Sequence, residues 1–221
     1  MGSNNIYKNV CVNLIWVWLF ISCFANSFAI AMEDLEENNQ KIRSICVYCS
    51  ASPNVDETYL EVANKFGKLL AKNNIKLIYG GGQIGMMGHL ADGCLEKKGQ
   101  VHGVIPEHLQ ISEVGHAGVQ TLEVVPNMHL RKAKMFELSD AVVVLPGGYG
   151  TLDETLEVLT WKQLSMHNKP IIVLNHEGFW DPLRSLLDHL VEKKFASPKA
   201  RHLLEFVNDV EDIIPAALQN L

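Results

Sequence analysis

Basic residues are in the minority in this chain: 19 Lys and Arg stand against 25 Asp and Glu, a formal charge of −6 over 221 residues. Nucleic-acid surfaces owe most of their affinity to Lys and Arg that neutralise phosphates, so nucleic acid is not expected as a partner. A small anion stays compatible, because a local site needs only a few donors. Cysteine is scarce as well: the five residues, at 11, 23, 46, 49 and 94, are odd in number and form no ladder, which excludes a disulfide framework. Cys46 and Cys49 match C-x-x-C. In an extended apolar segment, however, residues three apart point to opposite faces, so the pair reads as two buried thiols rather than a dithiol or metal site. The nine histidines form neither H-E-x-x-H nor a cluster, and no metal is expected. Internal repeats and low-complexity tracts are absent.

What is there is apolar and alternating. A chain of 48% hydrophobic and 20% charged residues suits one globular α/β domain with a substantial core. From residue 41 onward, short β-branched runs alternate with longer amphipathic segments, the pattern of βαβ units around a parallel sheet. The runs predict about seven strands, over 42–48, 75–79, 100–105, 121–125, 141–145, 170–174 and 204–207. Helical periodicity predicts helices on both faces, over 58–73, 86–97, 130–139, 151–166, 182–195 and 209–221, with Asp181 as an N-cap before Pro182. Residues 106–120 and 195–200 read as mobile or binding loops.

Residues 1–31 stand apart from the domain expected over 32–221. Lys8 precedes a mostly apolar, uncharged run that ends Ala29-Ile30-Ala31, a small-x-small pattern. The segment reads as a signal peptide or a membrane anchor, although Asn13, Ser22, Asn26 and Ser27 interrupt it. A third reading makes Met32 the true start. The expected location is cytoplasmic in that case, and exported or membrane-anchored if the segment is retained.

The most informative stretch is AVVVLPGGYGTLDETLEVLTWKQLSM, residues 141–166. Its opening valines suit a strand buried on both faces, which Pro146 ends. Gly147, Gly148 and Gly150 let the backbone turn tightly against a ligand, and Thr151 opens a helix whose free N–H groups and dipole attract an anion, a phosphate above all. Glu154 has two readings. Thr151-x-x-Glu154 is a capping box, each side chain satisfying a free N–H at the helix start. Behind a Pro-Gly-Gly-x-Gly loop, with Asp153 as a second acid, Glu154 is alternatively the carboxylate of a site that holds phosphate and stabilises a nearby cation such as a ribosyl oxocarbenium ion.

Two further segments carry chemistry. Gly80-x-Gly82-x-x-Gly85 follows a strand and opens a helix, the form of a dinucleotide fingerprint. The acid that should hold the ribose is displaced, because Pro106 turns the chain away before Glu107. Close helix–sheet packing and a backbone wall for a mononucleotide are the other readings. In Met128-His129-Leu130-Arg131-Lys132-Ala133-Lys134-Met135, helical spacing puts Arg131 on the apolar stripe. A guanidinium there needs an anion, an internal salt bridge or a snorkelling path. Lys132 and Lys134 read individually as solvated, while an Arg-Lys pair facing a glycine phosphate loop would clamp a sugar phosphate.

Together, Pro146-Gly147-Gly148-Tyr149-Gly150-Thr151-Leu152-Asp153-Glu154 and the preceding Met128-His129-Leu130-Arg131-Lys132 resemble the LONELY GUY (LOG) family of cytokinin riboside 5′-monophosphate phosphoribohydrolases, a family often mislabelled as lysine decarboxylases. The resemblance runs over roughly residues 42–209, with Tyr79-Gly80-Gly81-Gly82-x-x-Gly85-x-Met87-Gly88 and Thr160-Trp161 included. It implies a Rossmann-like fold, usually a cytosolic homodimer with sites near the subunit interface. The implied reaction is hydrolysis of the N-glycosidic bond of an adenosine 5′-monophosphate, N6-substituted or not, with no metal or organic cofactor. Arg131 and Glu154 become the catalytic pair. Gly148, Gly150 and Thr151 would hold the 5′-phosphate in a segment shaped by Gly147 and completed by Tyr149, Leu152 and Asp153. Lys132, Glu113 and Thr160 would meet the substrate, with Gly81, Gly82 and Gly85 as an earlier wall. Asp153 stands where many relatives have Glu, which shortens one side chain and leaves Glu154 in register. Two rival classes remain: a pyridoxal-phosphate-dependent lysine decarboxylase, for which Lys132 and Lys134 are the only lysines near the site, and a nucleotide carrier without turnover.

Overall fold

Seven runs of apolar and β-branched residues form seven parallel strands. The computed structural model describes residues 42–110 and 115–221. Its strands are β1 Ser44–Tyr48, β2 Lys76–Tyr79, β3 Val101–Pro106, β4 Thr121–Val125, β5 Ala141–Val144, β6 Ile171–Leu174 and β7 Glu205–Val207. They lie in the order β4-β3-β2-β1-β5-β6-β7, every neighbouring pair parallel. The winding therefore reverses direction between β1 and β5, and Cys46 of β1 sits in register with Ile78 on one side and Val142 on the other.

Helices cover both faces: α1 Glu57–Lys72, α2 Gly85–Glu96, α3 Met128–Glu137, α4 Tyr149–Gln163, α5 Asp181–Glu192 and α6 Ile213–Gln219. β1 explains the two layers, since its alternate side chains enter different cores. Ile45 and Val47 pack with Phe66 of α1, Leu90 of α2 and Ile213 of α6. Cys46 and Tyr48 pack with Met135 of α3, Val158 of α4 and Leu183 of α5. Fully buried side chains such as Phe66 and Leu90 each contribute roughly 1.5–3 kcal/mol by leaving water. Cys46 and Cys49 fall in opposite layers, both buried and unbridged, as strand alternation requires.

All six helix starts differ from the sequence expectation, and three of the differences change a reading. Helix α4 begins at Tyr149 with Gly148 as its N-cap, so Thr151 is already inside the first turn and makes no side-chain capping bond. The capping-box reading of Thr151-x-x-Glu154 is thereby corrected: the loop glycine, extended at φ −96°, takes the cap position. Trp180, not Asp181, precedes α5, and the Asp181 carboxylate instead accepts a 2.9 Å bond from Asn175 Nδ2. The expected helix over 209–221 divides into a 3₁₀ turn, Val210–Asp212, and α6. Pro215 falls in the first turn of α6, where a missing N–H costs nothing. Among the described residues, no helix is long and apolar enough to cross a membrane. The signal, anchor and alternative-start readings of residues 1–31 lie outside the described residues.

Candidate active site

Reversal of strand order opens a crevice beyond the carboxyl ends of β1 and β5, the place where open α/β sheets bind ligands. The Ser50 N–H donates to the Pro146 carbonyl at 3.2 Å and ties the two strand exits together. Around this point lies a cleft of 310 Å3. Gly148, Gly150, Thr151 and Glu154 of the α4 start meet Arg131 of α3 there, across from Ser50 and Ser52.

The floor of the cleft follows from the start of α4. The first intrahelical bond runs from the Leu152 N–H to the Gly148 carbonyl at 3.0 Å. The N–H groups of Tyr149, Gly150 and Thr151 precede it, so they and the helix dipole favour an anion. Gly147 and Gly148 are glycines for different reasons. A Cβ on Gly147 would stand 2.2 Å from Thr151 Oγ1, whereas one on Gly148 or Gly150 would meet nothing within 4 Å. The packing of the protein itself does not require those two positions to be small.

The opposite wall is Arg131, 5% exposed. Asn127 caps α3 by accepting from the Leu130 N–H at 3.0 Å, which fixes the helix start and with it the direction of Arg131. The guanidinium donates from Nε to the Val104 carbonyl at 3.2 Å and from Nη2 to the Gly80 carbonyl at 2.9 Å. It thereby spans the exits of β3 and β2. Glu154, 8% exposed, lines the same cleft one turn along α4. Burial pushes the Cys46 thiol and the Tyr48 hydroxyl above their ordinary values, and the negative charge of Glu154 adds to the shift in both.

Other predicted residues fall elsewhere. Gly147 lines an adjoining cavity, Tyr149 is 92% exposed, and Leu152 packs on the α3–α5 core. Lys132 is not solvated: it is buried, with its Nζ 3.0 Å from Asp153 and 3.1 Å from Glu157. Lys132 and Asp153 thus join the flanks of α3 and α4 outside the cleft. Thr160 donates to the Leu156 carbonyl at 2.7 Å on the outer face of α4. That face, with Asp153, Glu157 and Trp161, forms a separate surface hollow. Gly81, Gly82 and Gly85 buttress rather than line the cleft. Gly81 accepts from His116, Gly82 bridges Gly115, and Gly81 and Gly85 have φ of +79° and +63°. The close-packing reading of that loop is the one observed, with Gly80 its one glycine in the cleft. Glu113 lies outside the described residues.

Sequence reasoning missed Tyr48, Ser50, Ser52, Leu109 and Met128. The signal for the serines was present, because a segment leaving the first strand of such a sheet borders the crevice. Among the described residues, no His, Cys, Asp and Glu cluster could hold a metal. Among the described residues, no lysine lines the cleft. Lys132, held protonated by two carboxylates, does not fit the Schiff-base role that pyridoxal phosphate requires.

A family model described as "Possible lysine decarboxylase" matches residues 87–217. The cytokinin riboside 5′-monophosphate phosphoribohydrolase LOG1 of Arabidopsis thaliana is 42% identical over 186 residues, covering 81% of this chain and 87% of the relative. The chain belongs to the cytokinin riboside 5′-monophosphate phosphoribohydrolase (LOG) family. A LOG-family relative in Rhodococcoides fascians, named as the same phosphoribohydrolase, is also 42% identical, over 79% of this chain and 88% of its own. Among solved structures, the molybdenum cofactor carrier protein of Chlamydomonas reinhardtii superposes with a TM-score of 0.61 at 22% identity, covering 81% of this chain and 97% of that one. At that identity the likeness shows a shared Rossmann-like fold and nothing of the ligand.

Proposed function

We propose that this LOG-family protein is a phosphoribohydrolase that cleaves the N-glycosidic bond of an adenosine 5′-monophosphate, plain or N6-substituted, to free base and ribose 5-phosphate. The observation that carries the reading is the meeting of Glu154 and Arg131 in one cleft with the exposed amide end of α4. The 5′-phosphate sits on the N–H groups of Tyr149 to Thr151, in the room left by Gly148 and Gly150. That anchor spends binding energy remote from the reacting bond on orienting C1′. As the base departs with the bonding electron pair, C1′ becomes cationic. Glu154 stabilises that charge and takes the proton of the attacking water. Arg131, rigid through its two carbonyl contacts, fixes the substrate opposite the carboxylate.

The outer face of α4 gives the reading its quaternary form. Leu156, 40% exposed, lies beside Thr160 and Asp153, and Leu164 and Met166, 64% and 67% exposed, follow the end of the helix. These exposed apolar side chains support placing the interface of a cytoplasmic homodimer on this face. The test is direct: purified protein is incubated with AMP and with isopentenyl-AMP, and liberated base is measured. Glu154→Gln should lower turnover by about 10²–10⁴ while leaving nucleotide binding in place. Parental turnover in that variant would leave a carrier as the better reading.

A further inference from the structure

Beyond the Pro146-Gly147-Gly148 loop lies a second cavity, of 330 Å3, at the lower end of the roughly 300–1,000 Å3 typical of ligand pockets. It shares Ser50 and Gly148 with the cleft of Arg131 and Glu154, so the two adjoin at those residues. Since a Cβ on Gly148 would touch nothing within 4 Å, the backbone there is open to a ligand passing over it.

Two rings form one wall. Tyr59 and Phe179 meet edge to face with centroids 5.7 Å apart, and Phe179 keeps 37% of its surface exposed. Asp56 supplies a different feature. It holds the N-cap position of α1 yet makes no capping hydrogen bond, which leaves its carboxylate for another partner. Asn54 stands beside it, and among the described residues no Lys or Arg lines the cavity. A carboxylate without a cation repels a phosphate chain, whereas it accepts hydrogen bonds from the hydroxyl pair of a ribose, as an acid does in dinucleotide folds. Aromatic faces suit a base.

We propose that this cavity binds the second nucleoside of a pyrophosphate-linked dinucleotide whose first nucleoside occupies the Arg131 and Glu154 cleft, which makes such dinucleotides a further substrate class. The inference rests on the phosphate seat at the start of α4 argued above. The pyrophosphate crosses Gly148, the second ribose meets Asp56 and Asn54, and its base lies against Tyr59 and Phe179. In the reaction, water adds its oxygen to C1′ of the first nucleoside and the C1′–N bond breaks. The electron pair leaves with the base, which takes up a proton equivalent to the one water gives up. The pyrophosphate and second nucleoside stay on the ribose.

The test compares AMP, ATP and diadenosine diphosphate as substrates of the purified full-length chain, with released adenine as readout. The dinucleotide should be cleaved with kcat/KM well above that for ATP, whose tail would face Asp56. Phe179→Ala should lower dinucleotide kcat/KM about tenfold, the loss of one stacked base, and leave AMP within about twofold. Asp56→Ala should narrow the gap between dinucleotide and ATP. Equal losses for AMP and dinucleotide in Phe179→Ala, or dinucleotide cleavage no better than ATP, overturn the proposal. Calorimetry separates it from the hydrolase reading: dinucleotide binding that weakens in Phe179→Ala without AMP turnover sinks the hydrolase and keeps the cavity. AMP turnover with no dinucleotide binding sinks the cavity alone.

Discussion

Arg131 Nη2 donates to the Gly80 carbonyl at 2.9 Å, and a Cβ on Gly80 would stand only 1.9 Å from that same nitrogen. The glycine at position 80 is thus a condition of the guanidinium's seat, not of a turn. Gly80→Ala should displace Arg131 and cost about 1–3 kcal/mol, the range for overpacking a tight site. Thermal unfolding measures the loss. Turnover should fall further than stability explains, and a variant with parental kcat would remove Arg131's orientation from the mechanism.

Gly147 and Gly148 offer a paired comparison. Gly147→Ala drives a methyl into Thr151 and should destabilise the fold, by about 1–3 kcal/mol. Gly148→Ala meets no protein atom and should leave unfolding within about 0.5 kcal/mol of the parent while raising KM for AMP. Denaturant melts and steady-state kinetics on the two variants check this. An unchanged KM in Gly148→Ala would mean the phosphate sits elsewhere.

Lys132 makes a pH-dependent contribution. Burial pushes its ammonium down, but the bonds to Asp153 and Glu157 outweigh this and hold its pKa above the ordinary 10.5. A folded-state pKa above the unfolded one gives stability that is complete below 10.5 and lost as pH rises through the folded value. Lys132→Met should therefore cost about 1–2 kcal/mol at pH 7, with the gap to the parent closing in strongly alkaline buffer. A gap that persists there would assign the loss to packing of the lysine stem.

At the acid side the sign reverses. Burial lowers His102 below 6.5, with its Glu123 contact offsetting part of the shift, and burial likewise lowers His167, with Lys162 and Lys169 adding to it. The unfolded chain then binds protons that the native chain refuses, so stability falls as pH drops below 6.5. Each histidine adds up to about 1.4 kcal/mol per pH unit. His102→Gln and His167→Gln should each flatten the decline of Tm between neutrality and mild acid.

Much of the fold was legible because buried parallel strands are continuous apolar runs: Ala141 to Val144 and Ile171 to Leu174 carry no polar residue at all. The capping box misled because two glycines let α4 start two residues early, and backbone conformation at a glycine is not written in its neighbours. Lys132 misled for another reason. Helical periodicity gives a side chain's direction on its own helix but not which neighbouring helix covers it, and here α4 brings Asp153 and Glu157 over it. Arg131 was readable from its apolar stripe; its carbonyl partners, in β3 and just past β2, are a product of tertiary structure. Ser50 was readable only from its place after the first strand, since a lone serine there has no motif of its own.

The bond between the Ser50 amide and the Pro146 carbonyl joins the exits of the two innermost strands. Any drift in one strand drags the other, so this hub tolerates little change without loss of the whole sheet. Tyr59 and Phe179 stand away from that pair of strands, on α1 and on the turn before α5, and hold each other edge to face. Evolution is free to retune which nucleotides are accepted at the rim while the reaction at the hub stays fixed.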